Sequence, residues 1–179
     1  MTNSPAARPL TVRNALPGDL AALVALSQKT FTDKFGHLYN PEDLAGFLEE
    51  SHGAAVYARW LADPRNLIRV AETETGALAA YLLCSPLSLP AENALPGAVE
   101  LKRLYVDTPL QGRGLGSRFV DEALAWARSK GAPEIYLSVY SENEGAQRLY
   151  ARYGWEKAGE FIFPVGRHED LEFLMRLPL

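Results

Sequence analysis

Residues 99–131, "VELKRLYVDTPLQGRGLGSRFVDEALAWARSKG", place an apolar run, a cluster of glycines and an amphipathic run in immediate succession. "VELKRLYV" reads as a strand. Leu101 and Leu104 break strict alternation, so a local irregularity or burial on both faces is expected there. "LQGRGLG", residues 110–116, has three glycines in five positions. After it, Leu115, Phe119, Val120, Ala123, Leu124 and Ala127 form one helical stripe running to about Lys130, where Gly131 and Pro133 end the pattern. "EIYLSVY", 134–140, is a strand again. A strand, glycine turn, helix and strand in this order predict a right-handed parallel crossover.

The flanks extend this to a mixed α/β sheet. "LTVRNA" is a short strand. "LPGDLAALVALSQKTFTDKFG" predicts a helix with Pro17 in its first turn, Gly36 at its end, and Leu20, Leu23, Val24, Ser27, Thr30 and Phe31 on one face. "NPEDLAGFLEESHG" predicts a second helix capped by Asn40, and "AVYARWLADP" a short third. "LIRVAETETGALAAYLLCSP" reads as a hairpin turning at Gly76, and 87–98 as a loop. "SENEGAQRLYARYG" is a short helix, followed by strands in "WEKAGEFIFPV" and "DLEFLMRLPL". The 179 residues are expected to form one domain, 1–179, and show neither repeat nor linker.

Composition removes several function classes. A net charge of −4 offers no bulk positive field, so neither nucleic acid nor membrane is an expected partner. The start "MTNSPAARPLTV" lacks an apolar leader core, and no run approaches a membrane span, so a cytoplasmic protein is expected. Cys84 lies in an apolar run and reads as a core residue. His37, His52, His168 and Cys84 show no metal-ligand spacing, so no metal is expected.

The glycine turn leads into a helix N-terminus, where unpaired N–H groups and a partial positive charge favour an anion. Glycines let successive N–H groups converge on one phosphate. Gly116 is followed by Ser117-Arg118 rather than Lys-Ser/Thr, which removes the Walker reading. The dinucleotide fingerprint fits weakly, since Ser117 takes the place of its third glycine and the turn follows a late strand. A tight turn with no ligand stays open on the glycines alone. Further on, Ala146, Leu149, Tyr150 and Tyr153 have the spacing of a core stripe, and Asn143 the place of an N-cap.

Gln111, Gly114 and Gly116, with "LYV" at 104–106 before them, resemble the pyrophosphate loop of the GNAT family of N-acetyltransferases. "VYSENEGAQRLYARYGW", with Asn143, Ala146, Leu149-Tyr150 and Gly154-Trp155, resembles the family's second segment. The likeness is carried by 99–156, and by element order elsewhere. "FTDKFGHLYNPEDLAGFL" is similar to the acceptor-site region of the bacterial spermine/spermidine branch.

The resemblance implies a mixed, mostly antiparallel sheet with a central parallel strand pair, acetyl-CoA as co-substrate, and a primary amine, such as a polyamine, as acceptor. Protein N-termini or lysines, amino-acid-like metabolites, or a non-catalytic CoA-binding module are the alternatives. It implies that N–H groups of Gln111, Gly112, Arg113, Gly114, Leu115, Gly116 and Ser117 hold the pyrophosphate. Leu104, Tyr105 and Val106 would pair with the pantetheine arm, with a β-bulge there aiming an N–H at the thioester. Asn143 would contact the cofactor, Tyr150 protonate the leaving thiolate, and Glu100 act as general base. The family's last strands also imply a possible homodimer. His37, Tyr39, Glu42 and Asp43 are further candidates near the acceptor, although Glu42 and Asp43 are equally the first-turn acids of a helix. Arg148 and Arg152 could meet a CoA phosphate or simply be solvated.

Overall fold

The computed structural model describes residues 10–179. The reading of the first residues as leaderless therefore falls mostly on 1–9, outside the described part. The elements are β1 (Thr11–Asn14), α1 (Leu20–Phe35), α2 (Pro41–His52), α3 (Ala54–Ala62), β2 (Leu67–Glu72), β3 (Leu78–Pro86), β4 (Val99–Val106), α4 (Leu115–Ser129), β5 (Glu134–Tyr140), α5 (Glu144–Arg152), β6 (Glu156–Val165) and β7 (His168–Pro178). All expected elements are present. The last strand begins two residues earlier than its apolar pattern, because β6 and β7 form a hairpin paired to its tip at Val165 and His168.

The strands make one sheet in the order β1-β2-β3-β4-β5-β7-β6. Only β4 and β5 are parallel, joined through α4 as the crossover predicts. That pairing covers just Val99–Ile135 and Glu100–Tyr136. Beyond it the two strands separate, each keeping its antiparallel partner on the other side, β3 as far as Val106 and β7 as far as Tyr140. Leu83 opposes Arg103 while Cys84 opposes Leu101, so Lys102 is one residue too many on β4. This bulge accounts for the broken alternation. It lies before Leu104–Val106, not within it as expected, and it puts Glu100 and Arg103 on one face.

The two faces of the sheet carry separate cores. On one, α4 and α5 pack Phe119, Val120, Ala123, Ala127 and Tyr150 against Leu82, Leu101, Leu137 and Val139. On the other, α1 and α3 cover Tyr81 and Leu83, and α2 closes an aromatic group of Phe31, Tyr39 and Phe47 with Val165 and Tyr105. Leu26 joins the α1 stripe, a residue that the predicted face omitted. Phe119 is fully buried at the centre of the first core. Phe119→Ala is expected to lower stability by about 3–5 kcal/mol in urea unfolding; a loss under about 1 kcal/mol would mean that the core closes over the gap.

Candidate active site

A cleft of about 830 Å³ runs between the separated ends of β4 and β5. Gly112, Leu115 and Gly116 line one end, Leu104 to Val106 its middle, and Tyr39, Phe47, Asp170 and Glu172 the other end.

The glycine turn has the geometry of an anion cradle. Gly112 and Gly114 take left-handed φ of 76° and 80°, which only glycine adopts freely. A Cβ at either would meet nothing within 4 Å, so the space above the loop is open. The first bond of α4 runs from Arg118 N to Gly114 O, and the N–H groups of 112–117 have no backbone acceptor among the described residues. Gln111 is the exception to the expected set: its N–H donates to Thr108 O, and its side chain to Val106 O, fixing the loop to the strand end. Gly116 has another role. Its Cβ would lie 3.3 Å from Leu149 Cδ2, so it lets α5 approach α4.

From Leu101 onward the β4 edge facing β5 has no strand partner. Free backbone groups on such an edge accept an extended chain as a further strand. The cradle and this edge fit a pyrophosphate joined to an amide-bearing arm. Asn143, at the mouth of the gap, caps α5 by accepting from Ala146 N, and its side-chain amine remains available to the cleft.

Tyr150 packs edge-on against Trp155 and is buried except where it reaches the cleft. Its hydroxyl has no partner among the described residues, and it is not sealed from the cleft. Burial, with Tyr105 and Cys84 adding, pushes its pKa well up, so the phenol keeps its proton. Cys84 is itself fully buried, and burial raises its thiol too. It is a core residue.

Glu100 lines the cleft, but its carboxylate is engaged by neighbours. It is buried, accepts from Ser88 N at 2.7 Å, Leu89 N at 3.0 Å and the Ser88 hydroxyl, and pairs with Lys102. A carboxylate with its lone pairs so engaged has none free for a substrate proton. It fastens the 87–98 loop to β4 where that strand lines the cleft.

Glu172 takes the open position instead. It stands opposite Tyr140 on β5 and lines the cleft. Burial raises its pKa to about 7; the Ser138 hydroxyl pulls it down and the Asp170 charge pushes it up. Asp170 accepts from the Tyr39 hydroxyl through one oxygen, while the other is buried without a hydrogen bond. His168 Nε2 is 3.1 Å from that second oxygen, but outside hydrogen-bond geometry. Tyr39 is thus in the cleft, as one candidate reading had it. Asp43 is not: its N–H is capped by Asn40, and Arg167 lies 3.4 Å from its carboxylate. Glu42 and His37 also lie outside the cleft lining.

A polar knot completes this end. The Ser27 hydroxyl contacts His52 Nδ1 and Tyr57, Tyr57 contacts Tyr81, and Arg103 Nη1 donates to Tyr57 at 2.8 Å and to His52 Nδ1 at 3.1 Å. Burial, then the Arg103 charge, lowers His52 to about 2, so it is neutral. Arg113 and Arg118 flank the cradle at the surface; Arg148 pairs with Glu144 across one turn and Arg152 is exposed, as solvated residues would be. Among the described residues there is no cluster suited to a metal, and no helix long and apolar enough to cross a membrane.

A profile described as the "Acetyltransferase (GNAT) family" matches residues 26–155. The "Uncharacterized N-acetyltransferase in pepI 3'region" of Lactobacillus delbrueckii subsp. lactis is 30% identical over 161 residues, 90% of this chain and 92% of that protein. The "Probable spermine N(1)-acetyltransferase" of Bacillus subtilis subsp. natto is 37% identical over 73 residues, 40% of this chain and 48% of that protein. The PaiA N-acetyltransferase of Thermoplasma acidophilum, solved in complex with coenzyme A, superposes with a TM-score of 0.75 at 16% identity, covering 96% of this chain and 99% of that one. Cradle, open strand edge and matched profile agree, and the chain belongs to the acetyltransferase (GNAT) family as an acetyl-CoA-dependent N-acetyltransferase.

Proposed function

We propose that the protein acetylates the primary amine of a small acceptor bound at the Glu172 end of the cleft, with Glu172 as base and Tyr150 as acid. The observation that carries this is a titratable, cleft-facing carboxylate and an unpartnered phenol lining the same gap between β4 and β5. Acetyl-CoA, as substrate, brings the acyl thioester to the cradle of 112–117 and the edge of 104–106, with Asn143 at the gap. The acceptor amine enters as an ammonium, whose first proton passes to Glu172. The C–N bond forms as the C–S bond breaks, and Tyr150 gives its proton to the thiolate. The second proton leaving nitrogen restores the phenol through solvent. In net, one ammonium and one thioester give one amide, one thiol and one proton. Positioned acid–base groups of this kind contribute about 10²–10⁴ in rate.

Phe31, Tyr39, Phe47 and Phe163 wall the acceptor end. The β6–β7 turn closes onto α2, where a Cβ on Gly166 would overlap Asp43. Such an enclosed end favours a small amine over a peptide terminus or a protein lysine. The acidic pair of Asp170 and Glu172 suits an ammonium, and the spermine enzyme named among the relatives supports a polyamine as one acceptor to test.

Acetyl-CoA should be incubated with the protein and simple alkylamines, spermidine, amino acids and short peptides, and free thiol followed. Release with small amines is expected. Release with peptides alone would move the reading to protein acetylation, and acetyl-CoA binding without turnover on any amine would leave a CoA-binding module. Gly114→Val is expected to raise the KM for acetyl-CoA at least tenfold. No neighbour would clash with the new side chain; a β-branched residue simply resists the left-handed backbone that aims the N–H groups. An unchanged KM would remove the cradle from the binding site.

A further inference from the structure

Arg103 sits in the wall of the cleft with no counter-ion among the described residues. Its guanidinium lies 4.8 Å from the Trp60 ring centroid and 5.5 Å from that of Tyr57. Nη1 is held by Tyr57 and His52 Nδ1, both neutral partners. Nε and Nη2 have no hydrogen-bond partner, and no carboxylate lies within 4 Å, among the described residues. Glu100, on the same face of β4, is occupied by Ser88, Leu89 and Lys102. Taking a cation out of bulk water without an anion is costly. The chain nevertheless fixes this one in the cleft wall with aromatic faces and a hydrogen-bonded knot, and leaves its Nε–Nη2 edge without a partner among the described residues. That edge is the fork that takes a carboxylate through two parallel hydrogen bonds.

We infer that Arg103 binds a carboxylate on the acceptor, so that the acceptor class is an amine that also carries a carboxylate. This rests on the amine-acetyltransferase reading of the same cleft. The acceptor then spans the cavity with its amine towards Glu172 and its carboxylate on Arg103, and a second ammonium, as in a polyamine, meets the wrong charge. The aromatic walls take the apolar part between.

The test compares matched pairs: glycine, β-alanine, 4-aminobutyrate, 6-aminohexanoate, leucine and phenylalanine, each against the amine left by its decarboxylation, with spermidine alongside. Binding to the protein saturated with CoA is measured by calorimetry, which needs no turnover, and kcat/KM is measured with acetyl-CoA. At least one aminocarboxylate is expected to bind tenfold or more tightly than its matched amine. Arg103→Met is expected to bring that ratio close to one, and Arg103→Lys, which keeps the charge but not the fork, to leave an intermediate ratio. The inference is overturned if no carboxylate outbinds its matched amine, if spermidine outbinds them all, or if the advantage survives in Arg103→Met or is undiminished in Arg103→Lys. The first of these comparisons needs only the wild-type protein, so a variant that fails to fold leaves it standing. Turnover of the plain amines in those cases would leave the acetyltransferase reading intact, whereas carboxylate binding without any turnover would sink that reading alone.

Discussion

Glu172→Gln is expected to lower kcat/KM for the amine about 100-fold and to change the shape of its pH profile. With its pKa raised to about 7, Glu172 is protonated below that pH and cannot accept a proton. Activity of the wild-type protein should therefore climb through about pH 7 and then level off. In the Gln variant only the acceptor's own ionisation, near pH 10 for an alkylamine, remains, and activity should rise steadily across the range. The groups around Glu172 are Ser138 and Tyr140 on β5, Asp170 on β7, Tyr105 on β4 and Tyr39 before α2. Of these, Asp170 reinforces the upward shift and Ser138 opposes it. A second readout is independent of catalysis. A carboxyl whose pKa is raised on folding holds its proton more firmly in the native state, so its contribution to stability falls as pH rises from the ordinary glutamate value to about 7. The Gln variant should gain thermal stability relative to wild type at pH 8 but not at pH 4. Wild-type pH dependence in the variant would end the assignment of Glu172 as base.

Tyr150→Phe is expected to cut kcat at least tenfold while the KM for acetyl-CoA stays within about twofold. The ring fills the core beside Trp155, and Phe keeps that packing, so folding should be little affected. What is lost is one hydroxyl at the cleft with no partner in the chain. Product release can mask the chemical step in steady-state kcat, so the measurement should be single-turnover thiol release. Unchanged turnover would remove Tyr150 from the mechanism and return it to the core stripe that its spacing also describes.

The parts of this site that could be read in the sequence are those where one short segment does the work. "LQGRGLG" shows its cradle because the left-handed backbone that aims successive N–H groups needs glycine at 112 and 114. Asn143 is legible as a cap, and the broken alternation of Leu101 and Leu104 announces a bulge without giving its place. Glu172 was hidden because it is a single acid in the otherwise apolar strand "LEFLM"; only the antiparallel pairing of β5 with β7 puts its carboxylate beside Ser138 and Tyr140. Arg103, His52 and Tyr57 come from three elements and have no linear signature. Glu100 is the complementary case: its place on the strand is legible, but the donors that engage it, Ser88 and Leu89, come from a loop whose path no periodicity specifies.

The short parallel pairing of β4 and β5 has one more consequence. Tyr150 belongs to the face covered by α4 and α5, whereas Glu172, Arg103 and Tyr39 belong to the face covered by α1 and α2. The sheet is a wall between them, open where the two strands part. An acyl thioester lying in that doorway meets the amine from one room and gives up its sulfur towards the other. On the roles proposed for Glu172 and Tyr150, proton uptake and proton delivery then fall on opposite sides of the sheet, and base and acid cannot neutralise one another directly before the acyl group has moved.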